Sequence, residues 1–286
     1  MLSKTVTTTI KIIILFAIVY IIIALLYGHK EYFNSRHHAL NKPPSIKQPR
    51  VVVSFSTLPS RVGNIPKVVN SILQNTIVPD IIYINIPKFS KRENKEYIID
   101  KNIKNMKDIK NNEKIKFNFI DTDYGPVTKL YPTLLAENDP ETIIICVDDD
   151  KEYDPWTIEH LLNASEFFKD SCICVSGWNY INLKFIALPI TINVPNYVKK
   201  VDILQCYNGV LYKRKFFQDD FQKYLNLKCC FTTDDIMISK YLNSKEIEIL
   251  SVPFYHRHKS IGSNSSALGI FNLLNNSWIK CIDSKV

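Results

Sequence analysis

The chain has 286 residues, 46% of them hydrophobic and 22% charged, and a formal charge of +8 from 36 Lys+Arg against 28 Asp+Glu. That length holds one large domain or two small ones and buries an ample core without disulfide staples. Aromatics at 12% with only 7 Gly exclude a disordered tail protein, and 7 Cys are too sparse for a small disulfide scaffold.

A charge of +8 points first to nucleic acid, but its distribution removes that partner. Residues 1–50 hold seven Lys/Arg and a single acid, Glu31. The remaining 236 residues hold 29 bases and 27 acids. Ten of those bases and five of those acids fall in residues 88–116, so the rest of the body is faintly acidic. No nucleic-acid partner is expected.

Residues 12–27 are sixteen consecutive apolar or aromatic residues, flanked by Lys11 and Gly28. The run is slightly short of the roughly 20 residues of a membrane span, but Lys11 can snorkel to the interface. No small-residue cleavage site follows it. The expectation is an uncleaved signal anchor, with residues 1–28 as cytoplasmic tip and transmembrane helix. Residues 29–49, with Pro43, Pro44 and Pro49, read as a polar stalk. Residues 50–286 then form the main domain, on the lumenal side of an ER/Golgi-like or viral membrane.

Within that domain, apolar runs alternate with helical periodicity. Residues 51–55, 80–86, 116–120 and 142–147 read as strands, and 63–76, 91–110 and 128–137 as the helices between them. Continuous apolar strands in β-α-β order predict a doubly wound, mostly parallel sheet of Rossmann-like type. Beyond residue 147 the pattern loosens. Residues 155–169 and 234–242 read as helices and 172–176, 201–206 and 247–252 as strands, with a loop region between residues 176 and 201.

The strand at 142–147 runs into Asp148, Asp149 and Asp150. Ligands of open α/β sheets sit beyond the carboxyl ends of the strands. Three adjacent carboxylates there repel one another, and a hard divalent cation is the usual remedy. Alternate residues of an extended chain share a side, which pairs Asp148 with Asp150. Asp154 and Pro155 already supply the cap for the next helix, so the triplet has no capping task.

An apolar strand ending in Asp-x-Asp resembles the nucleotide-sugar glycosyltransferases of the GT-A fold, over about residues 50–259. The resemblance implies a metal-dependent, inverting transferase that moves a sugar from a nucleoside-diphosphate donor, UDP-linked, to a glycan, protein or lipid acceptor. It implies Mn²⁺ or Mg²⁺ on Asp148 and Asp150, with His256 and His258 as late ligands, and Asp148 and Asp149 at the donor. Ser54, Thr57 and Arg61, after the first strand, would receive the nucleotide. Asp121, Asp123 and Lys129, around the turn Gly125-Pro126, would lie near the donor, as would Gly209. Asp235, with its neighbour Asp234 at a helix start, would act as general base. Two other readings are a sugar-phosphate nucleotidylyltransferase and a non-catalytic, membrane-anchored carbohydrate-binding protein. The first would want a glycine-rich loop after strand one, which residues 54–61 lack.

The cysteines Cys146, Cys172, Cys174 and Cys206 lie in apolar strands and read as core thiols. No Cys-x-x-Cys pair supports zinc.

Overall fold

A computed structural model describes residues 49–99, 109, 112–183, 186–192, 197–254, 258–262 and 277–285. Strand β1 (Val51–Ser56) leads through a 3-10 turn (Pro59–Asn64) into α1 (Ile65–Leu73). Then come β2 (Ile81–Pro87), a short hairpin of β3 (Phe89–Ser90) and β4 (Lys95–Glu96), and β5 (Ile115–Ile120). A second 3-10 turn (Gly125–Lys129) precedes α2 (Tyr131–Ala136) and β6 (Ile143–Cys146). After β7 (Lys151–Glu152) follow α3 (Thr157–Phe167) and β8 (Cys172–Cys174). Strands β9 (Gly177–Leu183), β10 (Ile186–Ile192), β11 (Lys199–Lys200), β12 (Ile203–Leu204) and β13 (Val210–Lys213) come next. The chain continues through α4 (Phe221–Leu225), α5 (Asp234–Ser244), β14 (Ile249–Ser251), β15 (Lys259–Ser260) and α6 (Ser277–Asp283).

Eight strands form the central sheet in the order β11-β14-β8-β13-β6-β1-β2-β5. Each strand face feeds a separate core. Val51, Val53 and Phe55 pack with Ile65, Val68, Val69 and Ile72 of α1. Val52 belongs to the opposite core, with Leu134 of α2 and Ile236 and Tyr241 of α5. A strand buried on both faces has no solvent side, which is why β1, β2 and β6 read as apolar runs broken only by buried Ser54 and Asn85 and by half-buried Ser56. The result is a mixed α/β, Rossmann-like sandwich.

Two expectations about the fold need correction. The first concerns the loop region between residues 176 and 201: the sheet is mostly parallel, with β1–β2, β1–β6, β2–β5 and β8–β14 parallel, but β6–β13, β8–β13 and β11–β14 pair antiparallel. Parallel neighbours need a crossover helix. Among its described residues the chain between β8 and β13 has none; it makes a small sheet of its own, β10-β9-β12, and returns antiparallel through β13. That small sheet occupies the region read as a loop. Pro189 obscures it in the sequence, and the structure places Pro189 on the edge strand β10, where a missing N–H is tolerated.

The second correction concerns the membrane. Among the described residues no helix is long and apolar enough to cross a bilayer. The preceding transmembrane helix and the single-pass membrane location are therefore withdrawn. The run at residues 12–27 lies outside the described residues, and its sixteen residues fall short of the roughly 20 that a span requires. The helix expected at 91–110 is also absent from its first part, where the β3–β4 hairpin stands instead; residues 100–108, 110 and 111 lie outside the described residues.

Gly125 ties two parts of the fold together. Its φ is +72°, and a Cβ there would lie 2.3 Å from the Phe231 carbonyl oxygen. Only glycine allows this turn to lean on the segment that leads into α5. Gly125→Ala is expected to cost about 2 kcal/mol and to lower the thermal midpoint by roughly 4–8 °C. An unchanged melting curve would show that the two segments do not depend on this contact.

Candidate functional site

The parallel strands β1, β2, β5 and β6 all end on the same edge of the sheet, and the loops that leave them enclose a cavity of about 440 Å³. Its lining carries six carboxylates, Asp123, Asp148, Asp149, Asp150, Asp234 and Asp235, against three bases, Arg61, Arg92 and Lys129. The acidic turn after β6 and the N-terminus of α5 meet here, although they are more than eighty residues apart.

Lys129 joins them. It closes the 3-10 turn before α2, and its side chain is buried at 6% exposure. Its Nζ lies 2.5 Å from Asp148 Oδ1 and 3.2 Å from Asp234 Oδ2. Burial alone would lower its pKa, but Asp148 and Asp234 hold it well above the ordinary lysine value. The backbone beneath is equally fixed: Ser54 Oγ donates to the Lys129 carbonyl at 2.5 Å, and Asn85 Nδ2 donates to Ser54 Oγ at 3.0 Å.

Asp149 has a different task from its neighbours. Its carboxylate accepts hydrogen bonds from Thr57 Oγ1 at 2.7 Å and from Arg61 Nη1 at 2.9 Å. Burial nevertheless raises its pKa. It braces the β1 loop. Arg61 also reaches Asp150 Oδ2 at 3.2 Å. Burial, and then the charge of Asp148, push the Asp150 carboxyl upward.

At the opposite wall, Asp235 Oδ1 accepts the backbone N–H of Cys206 at 3.1 Å. Burial, followed by the adjacent Asp234 charge, pushes Asp235 up to about 7. Cys206, Asp234 and Asp235 bring ligand atoms within 4.8 Å of one another. The Cys206 thiol is pushed well above its usual range by burial and makes a hydrogen bond with the Tyr212 hydroxyl at 3.4 Å. It is a protonated, soft group, so the donors for a hard cation are the carboxylates. The buried Oδ2 of Asp234 meets Lys129 Nζ as an ion pair at 3.2 Å and makes no aligned hydrogen bond among the described residues.

Several expected residues lie elsewhere. Ser54 is fully buried beneath Lys129 and does not line the cavity. Asp121 is exposed on the surface, paired with Lys88. Gly209 (φ +100°) turns its α-carbon toward Leu161 and Thr157 of α3, away from the cavity. Asp123 does line it, with its carboxylate fixed by the backbone N–H groups of Lys91 and Gly125, each at 2.7 Å. His256 lies outside the described residues.

His258 does come to the acidic turn, because β15 pairs with β7 and Ile261 N–H donates to the Asp150 carbonyl at 2.7 Å. It is not placed as a metal ligand. Its Nδ1 accepts the Asp154 N–H at 3.2 Å and its Nε2 faces the Asn208 carbonyl at 3.0 Å, so backbone engages both nitrogens. With Tyr153, whose ring lies 4.7 Å away, it locks the loop that follows β6. The Tyr153 hydroxyl accepts the Asp148 N–H at 2.7 Å and donates to the Tyr207 carbonyl at 3.1 Å.

Sequence reading missed Arg92, Tyr97, Gln205, Tyr207 and Trp278, all in the lining. Arg92 sits in a run of surface-like charge, and only the β3–β4 hairpin turns it inward. Burial and the nearby Arg61 charge lower its pKa.

Two outcomes test this arrangement. Lys129→Met leaves Asp148 and Asp234 without their cation, and a loss of about 3 kcal/mol is expected at pH 7 from urea unfolding. A midpoint equal to wild type would remove Lys129 as the organising group. Asp235 binds its proton more tightly in the folded protein than in the unfolded chain, where a carboxyl titrates near 4. The fold therefore loses stability as pH rises from about 4 to about 7, and Asp235→Asn is expected to flatten that decline. Parallel slopes for the two proteins would contradict the raised carboxyl.

No protein-family model matches the chain, and no curated protein matches it. Among solved structures it is similar to the crystal structure of 2-C-methyl-D-erythritol 4-phosphate cytidylyltransferase from Francisella tularensis. The identity is 12%, the match covers 81% of this chain and 99% of that chain, and the TM-score is 0.45. Nothing about substrate or activity is carried over at that level of similarity.

Proposed function

We propose that this protein is a nucleotide-dependent transferase that moves a sugar from a nucleoside-diphosphate donor to an acceptor hydroxyl. The observation that supports this reading best is the meeting of Asp148 and Asp150 with Asp234 and Asp235 in one strand-end cavity, bridged by buried Lys129. Six carboxylates against three bases leave the lining short of positive charge. Asp148 and Asp150 would hold a divalent cation, Mg²⁺ or Mn²⁺, which when bound supplies positive charge beside the departing diphosphate. Thr57, braced by Asp149, and Arg61 flank the loop that would receive the nucleotide.

Asp235 is the group for the acceptor. A carboxyl raised to about 7 accepts a proton from a hydroxyl more readily than an ordinary carboxylate near 4. Its Oδ1 is oriented by the Cys206 N–H, and Oδ2 can take the hydroxyl proton. Direct attack by that hydroxyl on the anomeric carbon gives inversion.

One observation favours a second reading. Arg61 stands close enough to Arg92 to disfavour its charge, and with Lys129 the two could counter a triphosphate. A nucleotidylyltransferase would use them to join a sugar phosphate to a nucleoside triphosphate. The loop after β1, Ser56 to Arg61 in the cavity wall, has no glycine with which to wrap the phosphates.

Two incubations separate the readings. Purified protein with Mn²⁺ or Mg²⁺ and a panel of UDP-, GDP- and CMP-sugars is expected to release the nucleotide. Asp150→Asn and Asp148→Asn should lower that release about 100-fold or more. Release of pyrophosphate from UTP or CTP with a sugar 1-phosphate, in place of nucleotide from the sugars, would support the second reading.

A further inference from the structure

The cavity carries a second chemistry. Besides the acidic turn, its lining holds Trp178, Trp278 and Phe231, with Gln205 and Thr233. The two indoles lie with ring centroids 5.7 Å apart and planes at 37°. Two polar atoms in this wall, Gln205 Oε1 and Thr233 Oγ1, are buried and have no hydrogen-bond partner among the described residues. Unsatisfied buried acceptors are costly unless a ligand or water completes them.

Each indole is held there by specific contacts. Trp178 opens β9, opposite Ile203 of β12. The preceding Gly177 allows the strands to approach: a Cβ at that position would lie 2.6 Å from Val201 Cγ2 and 2.8 Å from the Ile203 carbonyl oxygen. Trp278 comes from α6, a seven-residue helix too short to stand alone. A disulfide, Cys230–Cys281, ties α6 to the segment before α5. Lys240 of α5 then donates from Nζ to the carbonyls of Cys281 at 2.8 Å, Ile282 at 3.1 Å and Ser284 at 2.6 Å. A covalent tie and a buttressing ammonium thus fix a short helix whose one contribution to the cavity lining, among the described residues, is Trp278.

We propose that the acceptor is a carbohydrate and that Trp178, Trp278, Gln205 and Thr233 form the subsite for its sugar ring. This rests on the sugar-transfer reading above and names its acceptor class. A pyranose has an apolar face of C–H bonds, which matches an indole surface, and a rim of hydroxyls. Those hydroxyls can donate to Gln205 Oε1 and Thr233 Oγ1, which have nothing else to accept from. A peptide or lipid acceptor would supply the apolar contact without that rim of donors. Asp234 and Asp235 follow Thr233 directly in the chain and line the same cavity, so the subsite adjoins the carboxyl that would take the acceptor's proton.

The test uses the full-length protein and needs no donor. Tryptophan emission is followed while maltotriose, cellotriose, chitotriose, mannotriose and xylotriose are titrated, with a Ser/Thr peptide as the non-sugar control. At least one oligosaccharide is expected to change the emission saturably, and the peptide is not. Trp156 lies outside the cavity and contributes a constant background. Trp278→Ala should abolish most of the change and weaken that oligosaccharide about tenfold. Trp278→Phe should bind within about threefold of wild type, and its thermal melt checks that α6 remains docked. Calorimetric affinity for UDP should be equal in wild type and Trp278→Ala within about twofold.

Three results would overturn the proposal: no oligosaccharide response in the wild type, a response to the peptide alone, or a loss of UDP affinity in Trp278→Ala as large as the loss for sugar. The last would assign the indoles to the nucleobase. A protein that binds oligosaccharide but cleaves no nucleotide-sugar would sink the transferase reading and leave the sugar subsite standing.

Discussion

The ammonium of Lys129 is the point on which the site depends. It is buried between two carboxylates that arrive from different parts of the chain, Asp148 at the end of β6 and Asp234 at the start of α5. Such a pair is not a cheap source of stability, because removing each ion from water costs several kcal/mol. Its value is positional. The Lys129 carbonyl is anchored to β1 through Ser54, so the ammonium cannot wander, and the two carboxylates are placed by a group fixed to the sheet. Gly125, four residues earlier, presses the same turn against the Phe231 backbone. One turn therefore registers the acidic loop, the sheet and α5 against one another.

That registration divides the labour among carboxylates that look equivalent in sequence. Asp149 turns inward and is consumed by Thr57 and Arg61. Asp148 goes to Lys129, and Asp150 shares Arg61 with Asp149, because the chain turns at residues 149 and 150. The middle acid is thus a brace. Its hydrogen bonds stiffen the loop after β1, so the nucleotide end of the cavity is built by contacts that a simple acidic motif does not reveal.

The features legible in the sequence were those that depend on local pattern. The near-continuous apolar runs of β1, β2 and β6 follow from burial on both faces, and the cavity lies at their carboxyl ends, where open sheets bind ligands. Thr57, Arg61 and Asp148 to Asp150 sit at such ends, Asp123 and Lys129 follow β5, and Asp234 and Asp235 open α5; all of them line it. What failed depends on side-chain direction or on distant contacts. Ser54 lies two positions short of the loop and faces the core under Lys129. Asp121 and Asp123 look alike, yet only the second turns in, because Lys91 and Gly125 offer it backbone N–H groups. His258 reaches the expected place, but the β7–β15 pairing hands both its nitrogens to backbone. Arg92 and Trp278 had no local signal, since a hairpin brings in the first and a disulfide-tied helix the second. The membrane reading rests on one apolar run and its flanking charges, and no helix among the described residues supports it.

The cavity also shows why two acids are useful at the start of α5. A lone Asp there would serve as a cap and remain an ordinary ionised carboxylate, favoured by the helix N-terminus. With Asp234 held by Lys129, a negative charge is fixed beside Asp235 and raises its proton affinity. Burial acts in the same direction and is the larger cause. Asp235 is therefore poised near neutrality by the same ion pair that positions its neighbour. The group that assembles the site also sets its basicity: loosening Lys129 would displace Asp148, free Asp234 and change the proton affinity of Asp235 together. Assembly and chemistry are in this sense one constraint, and it runs through a single buried ammonium.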